Sequence, residues 1–147
     1  MLKIILLISC FLVTNGCSNN GISIIEEIKT ELAIANKNLG VDEIKTIKLK
    51  NTLEKGDLMI LTQPYIEKES LAKLIKDKEL LNKIWGETSK QEGIHIYIIN
   101  GNQIKTHETL GRYVGVDGIF YTTNKNIALK VKKLNRHNRP LIIKGVK

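Results

Sequence analysis

Apolar residues recur at three- and four-residue intervals from Ile24 through Ile28, Leu32 and Ala35 to Leu39. That spacing draws one stripe along a helix. Ser23 and Glu26 stand at capping-box spacing ahead of the run, and Gly40 offers a stop. Glu26, Glu27 and Glu31 precede Lys37, the order the helix dipole favours. A helix is therefore expected over 23–38. The period then changes. Residues 44–49 read as a short strand and 58–62 as a more buried one, with Lys55-Gly56-Asp57 turning between them. Leu71, Leu74, Ile75, Leu81, Ile84 and Trp85 trace a second helical face over 67–85, interrupted at Lys78 and closed by Gly86.

Alternation on both sides of Asn100-Gly101 predicts a hairpin. A three-residue loop, Asn100 to Asn102, keeps Ile94, Ile96, Ile98 and Ile104 on one face, whereas a two-residue loop mixes apolar and charged positions. The preferred register sets His95 opposite His107 on the other, wetter face. Strands are expected again near 119–123, 127–134 and 141–146. The order of helix, strands, helix and a run of strands implies an α+β fold. Its N-terminal helix and second helix would pack on an antiparallel, mostly C-terminal sheet, as a single domain over 23–147.

The first residues have another organisation. Met1-Leu2-Lys3 is followed by an apolar run from Ile4 to Val13 and a polar stretch ending in Gly16-Cys17. This is the three-part layout of a secretory signal, and the run is far short of the ~20 residues of a spanning helix. Cys17 after a small residue resembles the lipobox of bacterial lipoproteins, which implies cleavage after residue 16, lipidation of Cys17 and a short tether over 17–22. Leu7-Ile8-Ser9-Cys10 fits the four-residue pattern better but leaves an apolar core of only about six residues, below the usual ~7–15. The expected location is the cell envelope, on the periplasmic side of the outer membrane where two membranes exist.

Charge changes the picture further. Formal net charge is +8 over 147 residues, yet residues 118–147 hold Lys125, Lys130, Lys132, Lys133, Arg136, Arg139, Lys144 and Lys147 with no acid. Lys125, Lys130, Lys132, Lys133, Arg136 and Arg139 are the candidate polyanion contacts. Anionic lipid or acidic polysaccharide are the partners this stretch would meet in the envelope. Nucleic acid is disfavoured for an exported chain, despite Phe120 and Tyr121 nearby for stacking. A solvated Lys-rich strand face with no partner is the plain alternative.

Candidate chemistry is sparse. His95 and His107 would make two ligands of a metal site, but Glu108, the nearest acid, falls on the opposite face, so no metal is expected. Gly111-Arg112-Tyr113-Val114-Gly115-Val116-Asp117-Gly118 lacks the spacings of nucleotide-binding loops and reads as a loop and bend. No cofactor motif and no nucleophile motif occurs. A non-catalytic binding or scaffolding module is the expected function. One alternative is an envelope enzyme assembled only in three dimensions from His95, His107 or Asp117, which a cleft gathering those side chains would favour. The other, if the start is no signal, is a small basic nucleic-acid-binding protein.

Trp85, Gly93, the apolar alternation, Asn100-Gly101, Ile104, Thr106 and Leu110 resemble a segment of the lipoproteins encoded with group 4 capsule and related exopolysaccharide genes. In that family a Trp precedes an N-G-x-x-apolar-x-T hairpin with a Gly-Leu ending; here the end reads Thr109-Leu110-Gly111. The resemblance spans about 25 residues and implies an outer-membrane lipoprotein accessory to polysaccharide export. It carries over no catalytic residue.

Overall fold

The computed structural model describes residues 20–111, 113–135 and 141–144. Cys10, Cys17, Arg136 and Arg139 lie outside the described residues. In chain order the elements are α1 (Asn20–Asn38), β1 (Ile44–Thr52), β2 (Asp57–Thr62), α2 (Lys68–Ala72), α3 (Lys78–Thr88), β3 (Ile94–Asn100), β4 (Gln103–Leu110), β5 (Val114–Asp117), β6 (Ile119–Thr122), β7 (Asn126–Lys133) and β8 (Leu141–Lys144). The fold is α+β, as its pattern implies. The strands form two four-stranded sheets rather than one: β1-β7-β8-β5, here sheet A, and β4-β3-β2-β6, sheet B. All pairings are antiparallel except β5 with β8, which is parallel.

The inner faces of the sheets share one core. Ile47, Leu49, Leu129, Val131 and Ile143 of sheet A meet Met59, Leu61, Ile96, Ile98 and Phe120 of sheet B, with Ile24, Ile25, Ile28 and Leu32 of α1 among them. Helix α1 bridges the open side between the edge strands β1 and β4. Glu27 accepts hydrogen bonds from the Lys50 N–H (2.6 Å), the Asn51 N–H (2.9 Å) and the Asn51 side-chain amide (2.9 Å). These lie beside the break in β1–β7 pairing between Lys48 and Thr52, so the carboxylate covers N–H groups that an edge strand leaves bare. Burial pushes the Glu27 carboxyl up, but the N–H donors of Lys50 and Asn51 outweigh it and hold it below the usual range. Lys29 pairs with Glu108 of β4. On the far side Gly118, at φ +78°, makes the corner between β5 of sheet A and β6 of sheet B.

A second core lies on the outer face of sheet B. Ile60, Tyr97 and Ile99 are covered by Ile66, Leu71, Ile75, Leu80, Leu81 and Ile84. Each such side chain contributes roughly 1.5–3 kcal/mol by leaving water. Strand β3 is thereby buried on both faces, which accounts for its nearly unbroken apolar run.

Several expectations are corrected. The first helix begins at Asn20, so Ser23 and Glu26 lie within it and do not cap it. The second helical stretch divides, in keeping with its interruption at Lys78: α2 ends at Ala72 and α3 starts afresh behind Asp77, whose Oδ1 accepts the Leu80 N–H at 2.7 Å. Gly86 does not stop α3, which runs to Thr88 because Ile84 and Thr88 are buried on one face. The stretch read as loop contains β5, in which Val114, Gly115 and Val116 are buried. The hairpin turns through two residues, Gly101 and Asn102, with Asn100 opposite Gln103. Gly101 at φ +58° meets the demand of a II′-type loop for a positive φ at its first position. A bulge between Ile98 and Ile99 then shifts the pairing, so that Thr106 faces Ile98 and His107 faces Tyr97.

Candidate functional site

The lysine-rich C-terminal stretch forms a strand face. In β7, Ile127, Leu129 and Val131 point into the shared core, while Ala128, Lys130 and Lys132 point outward. Lys130 stands between Thr46 of β1 and Lys144 of β8, and Lys132 between Ile44 and Ile142. Lys48, opposite Ala128, continues this face on β1. No described element covers it: Ile44, Thr46, Lys48 and Lys130 are exposed. Like charges directly opposed across strands repel, and Lys130 opposite Lys144 is such a pair.

The other candidate cations differ. Lys132 pairs with Asp42 at 2.8 Å. Lys133 turns to the inner side, where its ammonium donates to the Asn36 carbonyl of α1 at 2.5 Å, so it clamps the helix to the sheet. Lys125 sits on the β6–β7 crossover and lines a groove of 590 Å³ with Thr52, Leu53, Glu54, Lys55, Gly56 and Thr123. The Leu53 N–H donates to the Lys125 carbonyl at 3.0 Å, which ties the two sheet-to-sheet crossovers together at this end. Sequence periodicity alone could have located Lys48 on the basic face; Lys144 required knowledge of strand pairing.

His95 and His107 share a face, as expected, but not a wet one. His95 is fully buried and lies diagonally from His107, because α3 covers this side of sheet B and the bulge shifts the register. The two rings stack with centroids 5.4 Å apart, and His95 Nδ1 lies 3.1 Å from His107 Nε2. His95 Nε2 reaches the Gln91 carbonyl oxygen at 3.2 Å. Tyr97, also fully buried, stacks on His107 at 4.2 Å and donates its hydroxyl to Glu87 Oε2 at 3.2 Å. His107 Nδ1 lies 3.4 Å from that same oxygen. Burial, then the Glu87 carboxylate, pushes the Tyr97 hydroxyl far above its ordinary value. Burial also holds His107 below its ordinary value; Glu87 opposes this, His95 reinforces it and Glu108 opposes it.

Glu87 had no place in the sequence-based constellation, because only α3 packing brings it to the hairpin. It meets His107 at Nδ1, the nitrogen turned away from His95, so the three groups do not converge on one point. Among the described residues no group of three His, Cys, Asp or Glu side chains is arranged to hold a metal ion. Asp117 is exposed at the end of β5, in the other sheet, so the described structure does not gather His95, His107 and Asp117. No described helix is long and apolar enough to cross a membrane.

No family model, curated protein or solved structure matches the chain.

Proposed function

We propose that this protein is a non-catalytic envelope module, lipid-anchored through Cys17, whose basic sheet-A face rests on anionic lipid head groups. The observation that carries the reading is the sheet-A face bearing Lys48, Lys130, Lys132 and Lys144, which no described element covers. Lys130 and Lys144 oppose one another across strands, a repulsion that an anionic surface relieves. A flat array of lysines suits smeared surface charge, since each acts as a point charge without the planar fork by which Arg grips one carboxylate. The accessory role in polysaccharide export implied by the likeness of 85–110 to capsule-operon lipoproteins belongs to the same proposal.

The test is flotation of residues 18–147 with vesicles of phosphatidylcholine containing or lacking phosphatidylglycerol, across a salt series. Binding is expected only to the anionic vesicles and only at low to moderate salt, since the attraction decays within about 8 Å at physiological ionic strength. Replacing Lys48, Lys130 and Lys144 together with Gln should weaken it about a hundredfold, at about 1 kcal/mol per charge. Absence of binding at every salt concentration refutes the surface reading, and preference for an acidic polysaccharide over vesicles reassigns it. In the full chain Cys17→Ala should abolish acyl labelling and release the protein from membranes, while Cys10→Ala should leave both intact.

A further inference from the structure

The buried line from Gln91 through His95 and His107 to Glu87 has a fixed demand for protons. Both of its ends accept: the Gln91 carbonyl faces His95 Nε2 at 3.2 Å, and the Glu87 carboxylate faces His107 Nδ1 at 3.4 Å. A carbonyl cannot donate, so His95 Nε2 carries hydrogen. A neutral His95 then presents a lone pair at Nδ1, which takes the Nε2–H of His107 across 3.1 Å. A neutral His107 is left with a lone pair at Nδ1, facing a carboxylate oxygen. Three contacts are therefore served by two protons, and the gap falls at the end nearer solvent. His95 has no exposure, whereas the side chains of His107 and Glu87 retain 22% and 33%.

We propose that this cluster is a binding site for one proton, taken up at His107 Nδ1 on mild acidification and shared with Glu87 across the seam between α3 and the β3–β4 hairpin. The proton comes from solvent and no bond other than N–H is made or broken. Glu87 faces His107 from α3, and His95 and Tyr97 face it from β3. Glu108, next along its own strand, adds negative charge although its side chain is committed to Lys29. The Tyr97 hydroxyl keeps its proton throughout and remains a donor to Glu87. Burial and a second imidazole resist a cation here, and two carboxylates favour it, so the site stays empty near neutrality and fills below the ordinary histidine range. When it fills, the acceptor–acceptor contact becomes a charge-assisted hydrogen bond.

Long-range 1H–15N correlation spectra of the histidine rings test this directly, with His137→Gln removing the third histidine signal. At pH 7.5 His107 should be neutral, with hydrogen on Nε2. Between pH 7.5 and 4.5 His107 should gain the second proton, at Nδ1. Amide exchange over 84–89, corrected for its intrinsic pH dependence, should quicken as His107 fills, because release of α3 restores the ordinary proton affinity of the ring. In Glu87→Gln the side chain loses its charge, and a single atom position must serve both His107 Nδ1 and the Tyr97 hydroxyl. That variant should lower the His107 midpoint by about one pH unit, the scale of losing one adjacent opposite charge. Hydrogen on His107 Nδ1 at pH 7.5 or an unmoved midpoint in Glu87→Gln would each overturn the proposal.

Discussion

The outer faces of the two sheets have opposite fates. Sheet B is roofed by α2 and α3, and its central strand β3 is buried from Ile94 to Ile99. No described element roofs the outer face of sheet A, and its strands alternate: buried Ile47 and Leu49 in β1 with exposed Thr46 and Lys48, buried Leu129 and Val131 in β7 with outward Lys130 and Lys132. A strand with one dry face needs polar residues at every second position, whereas one with two dry faces cannot tolerate them unless they pair. The polar groups on the roofed face of β3 therefore occur as a mutually bonded set, His95 with Tyr97 and their partners. The polar groups on the bare face are largely single lysines.

The largest expected effect comes from lifting the roof. Ile84→Ala should lower unfolding free energy by about 2–5 kcal/mol, as large-to-small changes in a closed core do, in a denaturant titration. Ile44→Thr on the bare face should stay within about 0.5 kcal/mol in the same titration. Equal losses at the two sites would erase the distinction between the sheets.

A smaller effect is expected where α1 is held to the edge of the bare sheet. Glu27→Ala should cost about 1–3 kcal/mol by removing a charged acceptor from the β1 N–H groups. The native Glu27 carboxyl lies below its usual value, so its contribution is present above about pH 4.3 and is lost as pH falls through the lowered value. The difference between wild type and variant, read from unfolding curves at pH 7 and pH 3, should shrink accordingly.

The roofed polar set should give a pH slope that the bare face lacks. His107 is held below its ordinary value in the folded chain, so the unfolded chain binds more protons just below about pH 6.5. Stability should be fully present above that pH and fall as pH drops beneath it. His107→Gln should flatten the slope in denaturation curves taken from pH 8 to 5. The smallest effect is expected for Lys130→Gln, under about 0.5 kcal/mol, with a slight rise in Tm at low salt because the repulsion from Lys144 is relieved.

Much of the fold was legible in periodicity. The α1 stripe, β1, β7 and β8 of sheet A and the hairpin all carry local signals strong enough to place them. What failed depended on partners distant in sequence. His95 and His107 looked wet because two histidines on alternate positions imitate a solvated face, although Tyr97 and Ile99 share that face with them. The unbroken apolar run of β3 was the available sign that a second layer covers it. Glu87 could be joined to the histidines only by knowing where α3 lies. Val114 to Asp117 was read as a bend because its glycines dominate, whereas the valines flanking Gly115 are what bury it. The hairpin register erred because a bulge, which no face-matching argument contains, absorbs one residue.

The nesting of the two sheets along the chain sets an order of assembly. Every strand of sheet B, with both helices that roof it, lies between Asp57 and Thr122, so this half consists of comparatively local pairings. Sheet A joins β1 near the start to β7 and β8 near the end, and pairs Ile44 with Lys132 across most of the described chain. Loop closure over such separations is slow relative to hairpin formation. The inner half can therefore gather while the polypeptide is still emerging, but α1 has no finished surface to bury against until the last strands arrive. Completion of the native state is thus coupled to synthesis of β7 and β8.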